Sequence, residues 1–170
     1  MTNIRGIFTL RTVVQKKSLS GWVDLDNVWI SPSGELAPNT GYFGGGSGPV
    51  STMDKVTYAD DTTAAVPGAA LSVARYHLAA TGNSTAGYFG GGNPGAVSTM
   101  DKITYADDTT AAVPGAALSV ARYGLAATGN STHGYFGGGN PGGISTMDKT
   151  TYANDTTAAV PGAALSVARY

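Results

Sequence analysis

The chain has 170 residues, enough for one domain with a core, of which 42% are apolar and only 12% charged, with a formal net charge of −1. So even a balance offers no global attraction to nucleic acid or to an anionic membrane surface. The absence of cysteine excludes a disulfide framework and thiolate metal sites, while 25 glycines and 8 prolines indicate many turns rather than a helical protein.

Residues 1–38 differ in kind from the rest. "IRGIFTLRTVVQKK" carries Arg5, Arg11, Lys16 and Lys17 without an acid, and "SGWVDLDNVWISPS" holds both tryptophans, Trp22 and Trp29. No apolar run is long enough for a signal-peptide core or a membrane span. A segment this short cannot build a conventional core alone. It is expected to be a docking head, with Trp22 and Trp29 as anchors and Arg5 and Arg11 as further docking candidates. The alternative is that the tryptophans form only the head's own small core and the basic run is a solvated face. "SPSGELAPNT" reads as the linker.

From residue 39 the chain repeats itself. "GYFGGG" begins at Gly41, Gly87 and Gly134, and "STMDK" at Ser51, Ser98 and Ser145, a period of 47 residues. The block Thr57–Tyr76 recurs unchanged at Thr104–Tyr123; its third copy, Thr151–Tyr170, differs only in Asn154. Residues 41–74 form a partial unit, and 75–121 and 122–168 are complete ones. Self-similarity at such a period is the signature of a repeat architecture.

Turn signals divide each unit. "YHLAATG" suits a crowded inner strand, "NSTA" a turn, "GYFGGG" an aromatic strand, and "NPGA" a second turn. "VSTMDKITYA" reads as a half-buried strand and "DDTT" as a third turn. "AAVPG" with "ALSVAR" reads as a last short strand, Pro114 placing it at an edge or in an irregular position. The unit is thus four short antiparallel strands. Tyr88 and Phe89, like Tyr135 and Phe136, point to opposite faces, one of each pair packing between units. The glycines permit close backbone approach. They make no phosphate loop, since no Lys-Ser/Thr follows. Arg75, Arg122 and Arg169 are expected near the blade centre, either in buried hydrogen bonds across blades or at an anion or sugar site.

Catalytic chemistry is poorly supplied. His77 and His133 have no counterparts in the other units and read as turn or solvent residues. Asp60-Asp61, Asp107-Asp108 and Asn154-Asp155 suit turn closure, with calcium the less favoured alternative. No enzyme activity, cofactor or metal is expected.

The Arg near the unit start, the Gly91-Gly92 pair ending the second strand and Tyr105 in the third resemble a kelch-type propeller blade, as do Arg122, Gly138-Gly139 and Tyr152. The tryptophan usual in the kelch fourth strand is absent, and Ala111 and Ala112 occupy that stretch. The expected fold is all-β: kelch-like antiparallel four-stranded repeats forming a partial or oligomer-completed β-propeller behind a short non-repeated head. Fewer than three blades leave both ends of the array uncovered, so the chain is expected not to be monomeric.

The combination of "RGIFTL…GWVDLDNVWISPS" with "GYFGGG…STMDK…LSVARYGLAATGNST" also resembles virion proteins of aquatic tailed bacteriophages. That resemblance implies a structural virion protein, a self-associating tail, fibre or attachment component. A carbohydrate-binding propeller module for host recognition is the alternative. The partners it implies are further copies of the chain, other virion proteins through the head, and a host glycan, without nucleic acid or membrane insertion. The location implied is the virion, after synthesis in the host cytoplasm.

Overall fold

The computed structural model describes residues 39–170. Trp22, Trp29, Arg5 and Arg11, and the docking role expected of them, lie outside the described residues. The described part is all-β apart from short 3-10 turns, and its strands form three antiparallel meanders in simple sequence order.

The first sheet holds β1 (Thr40–Gly44), β2 (Met53–Thr57) and β3 (Thr62–Ala65). The second holds β4 (Ala79–Gly82), β5 (Ala86–Gly90), β6 (Met100–Thr104) and β7 (Thr109–Ala112). The third holds β8 (Ala126–Gly129), β9 (His133–Gly137), β10 (Met147–Thr151) and β11 (Thr156–Ala159). Each sheet is a propeller-like blade, and the three are called the first, second and third blade below.

The last strand of each unit lies earlier than the turn signals suggest. Thr109–Ala112 pairs with β6, so the threonines of "DDTT" are strand, while Pro114–Ala116 is a 3-10 turn rather than a strand. Proline suits that place because its missing N–H is needed by no ladder and its fixed φ starts the turn. The chain then returns along the blade, with Leu118 N donating to Ser98 O and Arg122 N to Val97 O.

Register explains the "GYFG" phrase. In the second blade Phe89 lies opposite Asp101, and Tyr88 opposite Lys102. Alternation along the strand therefore sends the two rings to opposite faces. Both faces are covered. Phe89 packs in a core with Met53, Ala69, Leu71 and Ile103, between the first and second blades. Tyr88 packs with Met100, Leu118, Phe136 and Tyr152, between the second and third. The expectation that one ring of each pair packs between units is corrected for the second blade alone, where Tyr88 and Phe89 are 1% and 3% exposed; in the first blade Phe43 is 69% exposed, and in the third Tyr135 lines an open cleft while Phe136 is buried.

Two glycines show why the phrase admits little else. A Cβ on Gly90 would lie 3.0 Å from a ring carbon of Phe136, so the strand must be bare where the next blade's ring slides in. Gly91 has φ +69°, and a Cβ there would meet Arg122 O at 2.6 Å. Only glycine accepts both that backbone and that approach.

Candidate functional site

Between blades the seams are polar as well as apolar, and they repeat. Arg75 Nη2 donates to Asp101 Oδ2 at 2.7 Å and to Phe89 O at 3.0 Å, and since its backbone bridges to Val50 it ties the first blade to the second. Arg122 Nη2 does the same with Asp148 Oδ2 at 2.8 Å and Phe136 O at 3.0 Å. All four ionised side chains are fully buried. Burial pushes both guanidinium pKa values down, against the pull of the paired carboxylate. Arg169, one period on, is exposed.

A second clamp lies further out. Tyr42 Oη and Lys55 Nζ both donate to Asp108 of the next blade, the lysine at 2.9 Å. Tyr88 Oη and Lys102 Nζ donate in the same way to Asp155. The tyrosines also stack across the seams, Tyr42 on Tyr105 at 5.2 Å and Tyr88 on Tyr152 at 4.8 Å between centroids. Asp60 and Asp107 instead close their own turns, each accepting from the Thr hydroxyl two residues on at 2.7 Å.

The hydrogen bonds from Tyr42 and Lys55 hold the Asp108 carboxyl below its ordinary 3.8. Burial pushes Asp155 up, but the bonds from Tyr88 and Lys102 outweigh it and its carboxyl also lies below 3.8. A depressed carboxyl contributes stability that is complete above its unfolded pKa and is lost as pH falls through its folded one. Thermal midpoints are therefore expected to drop as pH falls below 3.8, and an Asp108→Asn/Asp155→Asn variant should flatten that limb. Both positions have positive φ, which Asn tolerates, so a limb as steep as in the parent would refute the clamps' role. At the alkaline end burial pushes Tyr105 up to about 12 from 10.0. Its contribution is complete below pH 10 and lost as pH rises toward 12.

The inner ends of the blades carry a separate feature. Immediately after each arginine stands a tyrosine: Tyr76, Tyr123 and Tyr170. Tyr76 and Asn93 exchange backbone hydrogen bonds at 2.9 and 2.8 Å, and Tyr123 and Asn140 do the same at 3.1 and 2.8 Å. The His77 ring meets Tyr76 edge-on at 4.8 Å and lies over Tyr123 at 6.3 Å with 25° between planes. Gly124 N donates to His77 O at 2.7 Å, joining the two units directly. His77 has φ +54° and Gly124, its counterpart, φ +63°, and a Cβ at Gly124 would meet nothing within 4 Å.

Tyr76 and Tyr123 are half-buried, His77 is exposed, and Tyr170 is 86% exposed. This cluster was not singled out from the sequence, where His77 is assigned to a turn. The available signal was the tyrosine recurring one residue after each arginine. A cleft of about 580 Å³ adjoins it on the third blade, lined among others by Gly124, Tyr135, Gly137, Met147, Arg169 and Tyr170. Tyr135 and Arg169 thus share one face of the third blade, while Phe136 lies on the other, fully buried against the second. Among the described residues no group of three or more His, Asp or Glu side chains is placed to hold a metal ion.

No family model and no curated protein matches the chain. Among solved structures it is similar to that of YjhT, at 10% sequence identity and a TM-score of 0.58, over 72% of this chain and 47% of that one. The likeness is one of fold. It supports propeller-like blades, and the matched region spans about half the length of that structure.

The same comparison overturns the virion reading. YjhT is a bacterial propeller protein, not a phage tail or fibre protein. The expected resemblance to phage proteins, the structural tail, fibre or attachment role, virion partners through the head, and residence in the virion are accordingly corrected. The physical reason lies in the seams. Of the phrases that carry the phage resemblance, "GYFGGG" and "LSVARY" are set by ring insertion, close backbone approach and the buried arginine, which are demands of blade packing and of no particular particle, while the head phrase lies outside the described residues.

Proposed function

We propose that the repeats form a kelch-type propeller module that binds carbohydrate and performs no catalysis of its own. The observation that carries this reading is the cluster of Tyr76, His77 and Tyr123 at the inner ends of adjacent blades. An aromatic face packs flat against the C–H face of a sugar ring, and tyrosine adds a hydroxyl at its rim. Beside Tyr76 and Tyr123 themselves the surface is electrically quiet. The nearest arginines, Arg75 and Arg122, are buried and neutralised by Asp101 and Asp148, so the surface suits an uncharged, hydroxyl-rich ligand better than a phosphate or carboxylate.

A glycan array followed by titration calorimetry on a hit tests this. Tyr123→Ala should weaken binding by about tenfold or more, roughly 1.4 kcal/mol, as aromatic anchors of small contact surfaces do. Tyr58→Ala, 57% exposed on the far side of the first blade, should leave it unchanged. Absence of any glycan binding, or equal effects of the two substitutions, would refute the reading.

A further inference from the structure

The two seams among the described residues follow one rule, and the outer faces of the first and third blades carry the unmet halves of it. In each seam the earlier blade supplies Tyr and Lys together with the arginine whose backbone bridges to it (Arg75 to Val50, Arg122 to Val97), and the later blade supplies two aspartates and a tyrosine. On the third blade the next set is Arg169, Tyr135 and Lys149, and among the described residues none of the three has an acidic partner. On the first blade the opposite set is Asp54, Tyr58 and Asp61, and all three are exposed. Asp61 even keeps the backbone of its counterparts, with φ +54° against +55° for Asp108 and +53° for Asp155.

The apolar parts match in the same sense. Phe89 and Phe136 are 3% and 0% exposed because each fills the preceding blade, whereas Phe43 is 69% exposed. Phe136 packs where Gly90 and Met100 leave room. Their counterparts one period on, Gly137 and Met147, line the cleft on the third blade.

We propose that the third blade of one copy receives the first blade of a second copy. Phe43 then fills the cleft, Asp54 pairs with Arg169, and Asp61 accepts from Tyr135 and Lys149. A second copy is the occupant because it satisfies both end faces with residues already on the page, and opposite charges meet at each contact. Two copies related by a twofold axis make both contacts at once, giving six blades, within the roughly four to eight over which propellers close. This inference does not rest on the glycan reading.

The full chain tests it by light scattering at micromolar concentration. The expected result is twice the 17.1 kDa of one chain. Arg169→Glu and Asp54→Arg should each weaken association by about 100-fold or more, because each places like charges in a desolvated seam. Both side chains are exposed in the single copy, so folding should survive. Mixing the two variants should restore the dimer, since one contact then carries the reversed pair and the other the original pair. A 17.1 kDa species for the parent chain, as when residues 1–38 or another segment cover these faces, would overturn the proposal. So would association that is indifferent to both reversals, or variants that do not rescue one another.

Discussion

Replacing Asp148 by alanine is expected to lower unfolding stability by about 3–5 kcal/mol, because it leaves the Arg122 guanidinium charged, buried and without its counter-ion. Asp148 and Arg122 are both fully buried at 2.8 Å, and Ser119 N also donates to the same carboxylate oxygen at 3.1 Å. The penalty is one of uncompensated charge rather than of a strong bond lost. The paired substitution Arg122→Met/Asp148→Leu removes both charges together and should cost less than Asp148→Ala alone. Urea unfolding of the three proteins decides it: a double variant at least as unstable as the single one would show that the pair itself, not the stranded charge, holds the seam. The parallel experiment on Asp101 should give a loss of similar size, since Arg75 is equally buried there.

Phe136→Ala is expected to cost about 3–5 kcal/mol, the usual range for emptying a well-packed aromatic site. The ring is fully buried and sits against Gly90 of the second blade, within 3.0 Å of where a Cβ there would stand. Backbone so close cannot collapse into the space left behind, so the cavity term is added to the lost burial. Phe89→Ala should behave alike, whereas Phe43→Ala, at a position 69% exposed, should change the unfolding of a single copy by less than about 1 kcal/mol. The contrast matters because the three phenylalanines occupy one place in the repeat. Equal losses at all three would mean that burial in a blade seam is not what distinguishes them.

The 47-residue period, the glycine and proline turn signals and the alternation within "MDKIT" are local properties of the chain. They suffice for short antiparallel strands in repeated sheets, because strand, turn and register each depend on residues a few positions apart. The local pattern misplaces the last strand, drawing it through "AAVPG" and "ALSVAR". Pro114 begins a 3-10 turn, and the outermost strand is formed by Thr109–Ala112, whose threonines look like turn residues only until β6 pairs with them.

What tertiary structure alone decides is which blade each side chain serves. Tyr88 and Phe89 are adjacent in sequence yet bind different neighbours, one meeting Tyr152 and Asp155 and the other Met53 and Leu71. The partner of Arg75 is Asp101, 26 residues away, and the partner of Lys55 is Asp108, 53 away, although every copy of the repeat contains both kinds of acid. A near-identical repeat makes each such pairing ambiguous along the chain, since any arginine could be matched to any aspartate of the same register. Stacking resolves the ambiguity, because a blade has one face toward the unit before it and one toward the unit after. The same stacking leaves Arg169 and Asp54 exposed while Arg122 and Asp148, of the same repeat positions, are buried. Composition and period are blind to that difference; only the order of the blades in space creates it.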